Sequence, residues 1–234
     1  WEDEPLITAS IGLALAAKAS GGRVIAQVRR MVEPGSRPAT VVRLPGIYVD
    51  AVVCDPDMMM TTDVAYEPAY FSGRRLPLSD LTAPPFSVDR IIANRVAAEV
   101  RPGELAIFGF GAATDVPLVM AETGRFDGSR LADYPATTEH GAYGGIVMPG
   151  WQFSANINPD ALLDGLTQFD AIDGGLCRFA ALSFAEFDAA GCVNVSRFGA
   201  ACPGAGGFID IAQNARRIIL AGTFTTGGLK VDVA

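Results

Sequence analysis

The chain contains a single histidine, His140, and its four cysteines, Cys54, Cys177, Cys192 and Cys202, form no C-x-x-C pair. A zinc site would need more ligands at closer spacing, so no metal is expected and the thiols read as reduced and mostly packed. Basic residues are also scarce. Eighteen Lys and Arg against 26 Asp and Glu give a net charge of −8, which argues against a nucleic-acid partner. An anionic ligand must then be met locally, by backbone N–H groups or a few basic side chains. No uninterrupted apolar run approaches the ~20 residues of a membrane helix, so no membrane partner is expected. The start lacks the basic, apolar and small-residue regions of a signal peptide, and a cytoplasmic setting is the expectation. The first residue is Trp1, which suggests a processed, excised or incomplete chain.

What the chain does have is apolar content, 50% against 19% charged, which excludes disorder and permits a real core in its 234 residues. Leu6–Ala19 carries Ile7, Ile11 and Leu15 at four-residue spacing and ends at Gly21-Gly22, which predicts an amphipathic helix. Strands are expected at Val24–Val28, Val41–Leu44 and Val49–Cys54, the last two split by the turn dipeptide Pro45-Gly46. Residues 55–86 are rich in proline and read as an extended connector, with Met58-Met59-Met60 as a packed loop or subunit contact. Ser87 caps a predicted helix over Val88–Val100, whose Ile91, Ile92, Val96 and Val100 mark the apolar face. A buried strand Leu105–Phe108 then runs into Gly109-Phe110-Gly111 and a short helix Pro117–Thr123 stopped by Gly124. Later strands are expected at Ala180–Phe184, Val193–Val195 and Ile218–Gly222, with a short helix within Gly207–Arg217. Helix, strand, glycine turn and helix in succession predict a parallel α/β layer.

The chemistry concentrates in Thr137-Thr138-Glu139-His140-Gly141-Ala142-Tyr143-Gly144-Gly145. A glutamate partly desolvated beside oriented N–H donors can attack a thioester, and the glycines after it would leave room for the substrate. His140, next in sequence, is read as a structural or rim residue, because an extended segment points it the other way. The small loop Gly204-Ala205-Gly206-Gly207 is either a surface loop or a place where backbone touches a ligand. Gly109 and Gly111 could open a dinucleotide site, but position 114 is Thr and the third glycine is missing, so a tight strand-to-helix turn is the better reading. Arg216 and Arg217 could reach a phosphate, though a solvated helix end is the commoner role.

Taken in order, GRVIAQV at 22–28, LPGIYVDAVV at 44–53, TTEHGAYGG at 137–145, NINP at 156–159, QFDAIDGG at 168–175, NVSRFG at 194–199, GAGGFIDI at 204–211 and GTFTTGGL at 222–229 resemble the family I coenzyme A transferases of the acetate/propionate and short-chain 3-oxoacid type. The resemblance implies an α/β fold of open, mostly parallel sheets with flanking helices, in two similar domains. Residues 1–84 would be the C-terminal part of the first domain with its connector, and 85–234 the N-terminal part of the second, catalytic domain. It also implies transfer of CoA between a short-chain acyl-CoA and a free carboxylate, ping-pong, through a glutamyl-CoA thioester on Glu139. Asn194 would orient the reacting groups, Gly204, Gly206 and Gly207 would lie against the CoA thioester, and Gln27, Gly109 and Gly111 would line the same cleft. Acyl-CoA would be a substrate with no tightly bound cofactor, and the full-length enzyme would be a homo-oligomer. Phe110 and the methionine run depart from the family's usual residues. An acyl-CoA hydrolase on the same scaffold, or a non-catalytic CoA-binding or subunit-contact fragment, are the alternatives.

Overall fold

The structure, a computed structural model, describes residues 8–125, 133–153 and 155–223. Helix α1 (Ser10–Ala19) ends where Gly21, at φ 72°, lets its own N–H reach the Lys18 carbonyl and the Gly22 N–H reach that of Ala17 at 2.7 Å. That paired reversal is the glycine stop expected from the sequence. The helix does not bury the anticipated stripe. Ala14 is its buried residue, while Leu13 and Leu15 are exposed, because the helix meets the rest of the chain through its small residues; Leu6 and Ile7 lie outside the described residues.

Strands β1 (Ile25–Val28) and β2 (Ala51–Cys54) form a two-stranded parallel sheet. Between them, Val41–Leu44 is not a strand. Pro38 and Pro45 bracket it, and the N–H groups of Val41 and Val42 close a local 3-10 turn on Pro38 and Ala39, which takes those two donors from any ladder. The connector does not run free. Ala69 and Tyr70 pack with Ala155 and Ile157, and the Asn158 amide makes a two-way pair with the backbone of Leu76 at 2.8 and 2.9 Å.

The main sheet is six-stranded and mixed. Its parallel part comprises β12 (Arg217–Leu220), β9 (Phe179–Leu182), β3 (Ala106–Phe108) and β4 (Ala136–Thr137), extended antiparallel by β5 (Ala142–Tyr143) and β8 (Ala161–Leu162). A hairpin of β6 (Ile146–Val147) and β7 (Asn156–Ile157) stands apart, as does another of β10 (Glu186–Phe187) and β11 (Val193–Asn194). Period-two alternation sorts the side chains into two layers. Ala106, Phe108, Phe179 and Ala181 face α2 (Val88–Ala97) and α3 (Val116–Glu122), meeting Val96, Val119 and Met120. Ile107, Ala180 and Leu182 face α4 (Gly165–Asp173) and α5 (Phe208–Asn214), meeting Ile172 and Ile211. The central strands are therefore apolar on both faces, as a covered parallel sheet requires. Helix α2 carries the expected cap, Ser87 Oγ accepting from the Arg90 N–H at 3.1 Å, and buries Val96 while Ile91 stays exposed.

Candidate active site

Glu139 sits at the tip of the turn joining β4 to β5, outside the last ladder pair Thr137–Tyr143. Gly141 N–H closes the turn on the Thr138 carbonyl at 3.0 Å, and Thr138 N–H bonds back to the Ala142 carbonyl at 3.1 Å. From below, the buried Gln168 of α4 donates its amide to the Thr138 carbonyl at 2.9 Å and to Thr137 Oγ1 at 3.2 Å. The base of the turn is thus held by a helix and a strand while its half-buried carboxylate stays free to face the cleft. The glycines after it serve the fold. The spaces beside Gly141, Gly144 and Gly145 are taken by the Leu163 carbonyl, the Asp160 carboxylate and the Ile157 carbonyl, not by room for a ligand. Close backbone packing, here of β5 against β8 and of the β6–β7 hairpin, is the other reason a strand turn needs glycine.

A cavity of about 240 Å³ opens at the C-terminal ends of β3 and β9, where ligands of open α/β sheets bind. Glu139 lines it, with Gly206 and Gly207 opposite and Gly109 at the end of β3. The approach of the two walls is close. A Cβ added at Gly207 would overlap Glu139 Oε2 and come within 2.9 Å of the Phe169 ring. Gly109 is less tightly confined, as a Cβ there would lie 3.2 Å from Leu182 and 3.3 Å from the Ala181 carbonyl. Among the described residues lining the cavity there is no lysine, arginine or histidine.

The other residues proposed from the sequence stand outside the lining. Asn194 is committed to its own loop, with Nδ2 donating to Glu186 and to the Arg197 carbonyl, both at 2.6 Å, and Oδ1 accepting from the N–H of Ser196 at 3.2 Å. Gly204 bonds through its N–H to the Ser196 carbonyl at 3.2 Å, at the far end of the loop from Glu139. Gly111 faces the Ser183 hydroxyl. Gln27 lies on β1, its amide donating to Asp55 at 3.0 Å in the two-stranded sheet. Arg217 is occupied structurally, donating to the Glu99 carbonyl at 3.0 Å and to Glu104 at 2.5 Å.

Sequence reasoning missed Phe153, Ser183, Phe184 and Phe198, which also line the cavity. Ser183 follows β9 as Gly109 follows β3, so the parallel pairing of those strands was the signal that could have found it. His140 stacks edge-on against Phe153, ring centres 6.2 Å apart, and its burial pushes the imidazole pKa below the ordinary value against the opposing pull of the Glu139 charge. Among the described residues no cluster of three or more His, Cys, Asp or Glu could hold a metal ion, and no helix is long and apolar enough to cross a membrane.

No family model matches the chain. Individual proteins do. The chain is 38% identical over 236 residues to the acetate CoA-transferase YdiF of Escherichia coli O157:H7, across 100% of its own length and 43% of the relative's. The crystal structure of that YdiF, an acyl-CoA transferase apoenzyme, superposes with a TM-score of 0.80 at 34% identity, covering 100% of this chain and 42% of that one. Over its whole length the chain is thus similar to one segment of the coenzyme A transferases. A further relative is the caffeate CoA-transferase of Acetobacterium woodii, 35% identical over 232 residues that cover 96% of this chain and 43% of the relative. A YdiF thioester complex with CoA matches with a TM-score of 0.79 at 34% identity, over 95% of this chain and 42% of that one. The chain therefore spans 43% of the length of the curated relatives it matches, and its mixed α/β architecture is that of the transferase scaffold over that segment.

Proposed function

We propose that these residues carry the nucleophilic site of a coenzyme A transferase that moves CoA between an acyl-CoA and a free carboxylate, with Glu139 as the covalent residue. The observation that carries the proposal is the apposition of the Glu139 carboxylate and the backbone of Gly207 across one small cavity. A carboxylate alone in water is a weak nucleophile, whereas one set half-buried gains strength, and fixed backbone dipoles beside it can meet the charge that develops on the acyl oxygen. The relatives named as CoA-transferases, and the thioester complex of one of them with CoA, support the same chemistry.

The steps balance without a redox partner. A Glu139 oxygen attacks the thioester carbon, the C–S bond breaks, and a glutamyl–acyl anhydride and the CoA thiolate result. The thiolate then attacks the glutamyl carbonyl, releasing the acyl carboxylate and leaving a glutamyl-CoA thioester. An incoming carboxylate attacks that thioester and expels the thiolate, which attacks the acyl carbon of the new anhydride. New acyl-CoA leaves, and the Glu139 carboxylate is restored. Gly206 and Gly207 present backbone alone to this path, which lets the thioester approach the carboxylate closely.

The test is incubation of the protein carrying these residues with acetyl-CoA, followed by peptide mass analysis. The expected result is a CoA adduct on the peptide containing Glu139, absent from Glu139→Gln, with turnover reduced at least a thousandfold in that variant. An active preparation whose Glu139 peptide stays unmodified refutes the assignment. Product analysis of propionyl-CoA incubated with and without acetate separates transfer, which forms acetyl-CoA, from hydrolysis, which does not.

A further inference from the structure

Phe110 occupies the middle of the Gly109-Phe110-Gly111 turn and is fixed from several sides. Its carbonyl accepts the Ser183 hydroxyl at 2.6 Å, and the same hydroxyl fills the space a Cβ on Gly111 would need. Its ring, half exposed at the mouth of the cavity, meets Phe153 edge-on with centres 5.7 Å apart and Trp151 at 5.6 Å. Phe153 in turn meets the imidazole of His140, the residue next to Glu139. A continuous run of rings therefore leads from the neighbour of the nucleophile to Phe110. Phe184, Phe198 and Phe208 add further rings to the lining beside aliphatic Leu182, Val195 and Ile211, with no cation among the described lining residues. Such a wall offers ring edges and faces to a bound group and gives nothing to a second charge.

Size points the same way. An apolar cavity of about 150 Å³ is enough to hold benzene. The cavity beside Glu139, at about 240 Å³, exceeds what an acetyl group fills and accommodates a ring-sized acyl body. A small acyl group would leave much of the phenylalanine surface without contacts, which forfeits binding energy at the reacting centre.

We propose that Phe110, locked by Ser183 and braced by Phe153 and Trp151, is a specificity-determining residue that selects acyl groups with an apolar, ring-bearing body over acetyl. The proposal rests on the reading of Glu139 as the covalent residue and adds the substrate class to it. It is tested by measuring kcat/KM for 3-phenylpropionyl-CoA and for acetyl-CoA with propionate as the common acceptor, read as propionyl-CoA formed, in the wild-type protein and in Phe110→Ala and Phe110→Leu. The expected result is a wild-type ratio of at least tenfold in favour of the phenylpropionyl thioester, reduced at least tenfold in Phe110→Ala. Phe110→Leu, which keeps the turn apolar and folded, should also lose the preference. Turnover of acetyl-CoA with a Glu139 adduct but no preference for the ring, or a preference unmoved by both variants, overturns the specificity proposal and leaves the covalent reading standing. Absence of any Glu139 adduct with either thioester, in a preparation that turns over, overturns both.

Discussion

At the scale of single residues, the closest constraint on the site is the missing side chain of Gly207. Its φ is −76°, a value any residue adopts, so alanine there strains no backbone. Its Cβ would nevertheless displace the Glu139 carboxylate and press on the Phe169 ring. A shift of about 1 Å at a reacting group costs on the order of 100-fold in rate. Gly207→Ala should therefore lower kcat by about that factor while the urea midpoint moves little; unchanged kcat would show that the carboxylate need not sit against this loop. His140 supplies a second prediction. Burial holds its folded-state pKa below the unfolded value near 6.5, so the unfolded chain binds the extra proton first. Its contribution is fully present above the unfolded pKa and is lost as pH falls through the lowered folded value. As the chain's one histidine, it can be isolated cleanly. Urea midpoints should fall between pH 7 and pH 5, and His140→Gln should flatten that slope. The glutamate stood out by its glycine-rich surroundings, whereas composition left the glycines at 206 and 207 open between a surface loop and a ligand contact, and only the family resemblance placed them beside it. Ser183 could not, because it meets the Phe110 carbonyl across 73 residues of sequence, through strand pairing alone.

At the scale of elements, α4 sets the platform under Glu139. Asp164 caps it, accepting from the N–H groups of Leu166 and Thr167 at 3.1 Å and from the Thr167 hydroxyl at 2.8 Å, and these bonds lower its carboxyl pKa. One turn on, Gln168 reaches the Thr138 carbonyl below Glu139. Asp164→Ala should cost about 1 kcal/mol, the usual loss for a removed cap, measured by urea unfolding at pH 7. A value near zero would mean the helix start is held by Gly165 N–H on the Thr8 carbonyl, 2.8 Å away, without help from the side chain. This helix was not anticipated, since Gly165 and the acidic Asp170 and Asp173 dilute a two-turn apolar pattern. β4 through β8 were equally invisible, as strands of two residues carry no period to read. Where the pattern was long enough, at α2, β3, α3 and β9, the elements lie where periodicity placed them. Val41–Leu44 had the right residue types, and two prolines overrode them.

At the scale of the whole molecule, the two sheets differ in a way that burial makes plain. The six-stranded sheet is covered by helices on both faces, whereas among the described residues the β1–β2 pair is not. Ile25 and Val53, on one face of that pair, are 67% and 52% exposed, and Val52 on the other face is 44% exposed. Parallel strands are stable almost solely when both faces are covered, and a pair of strands alone is marginal in water. The uncovered aliphatic faces are therefore surfaces that seek a partner, whether further chain or a second copy. The 234-residue chain by itself should self-associate with rising concentration in sedimentation velocity, and Val53→Lys, which places a charge on the exposed face, should weaken that association at least tenfold, equal to about 1.4 kcal/mol. A chain that stays monomeric at every concentration, or associates undiminished with the lysine in place, would show that contacts elsewhere hold the copies together and that the β1–β2 pair is stable in water as it stands.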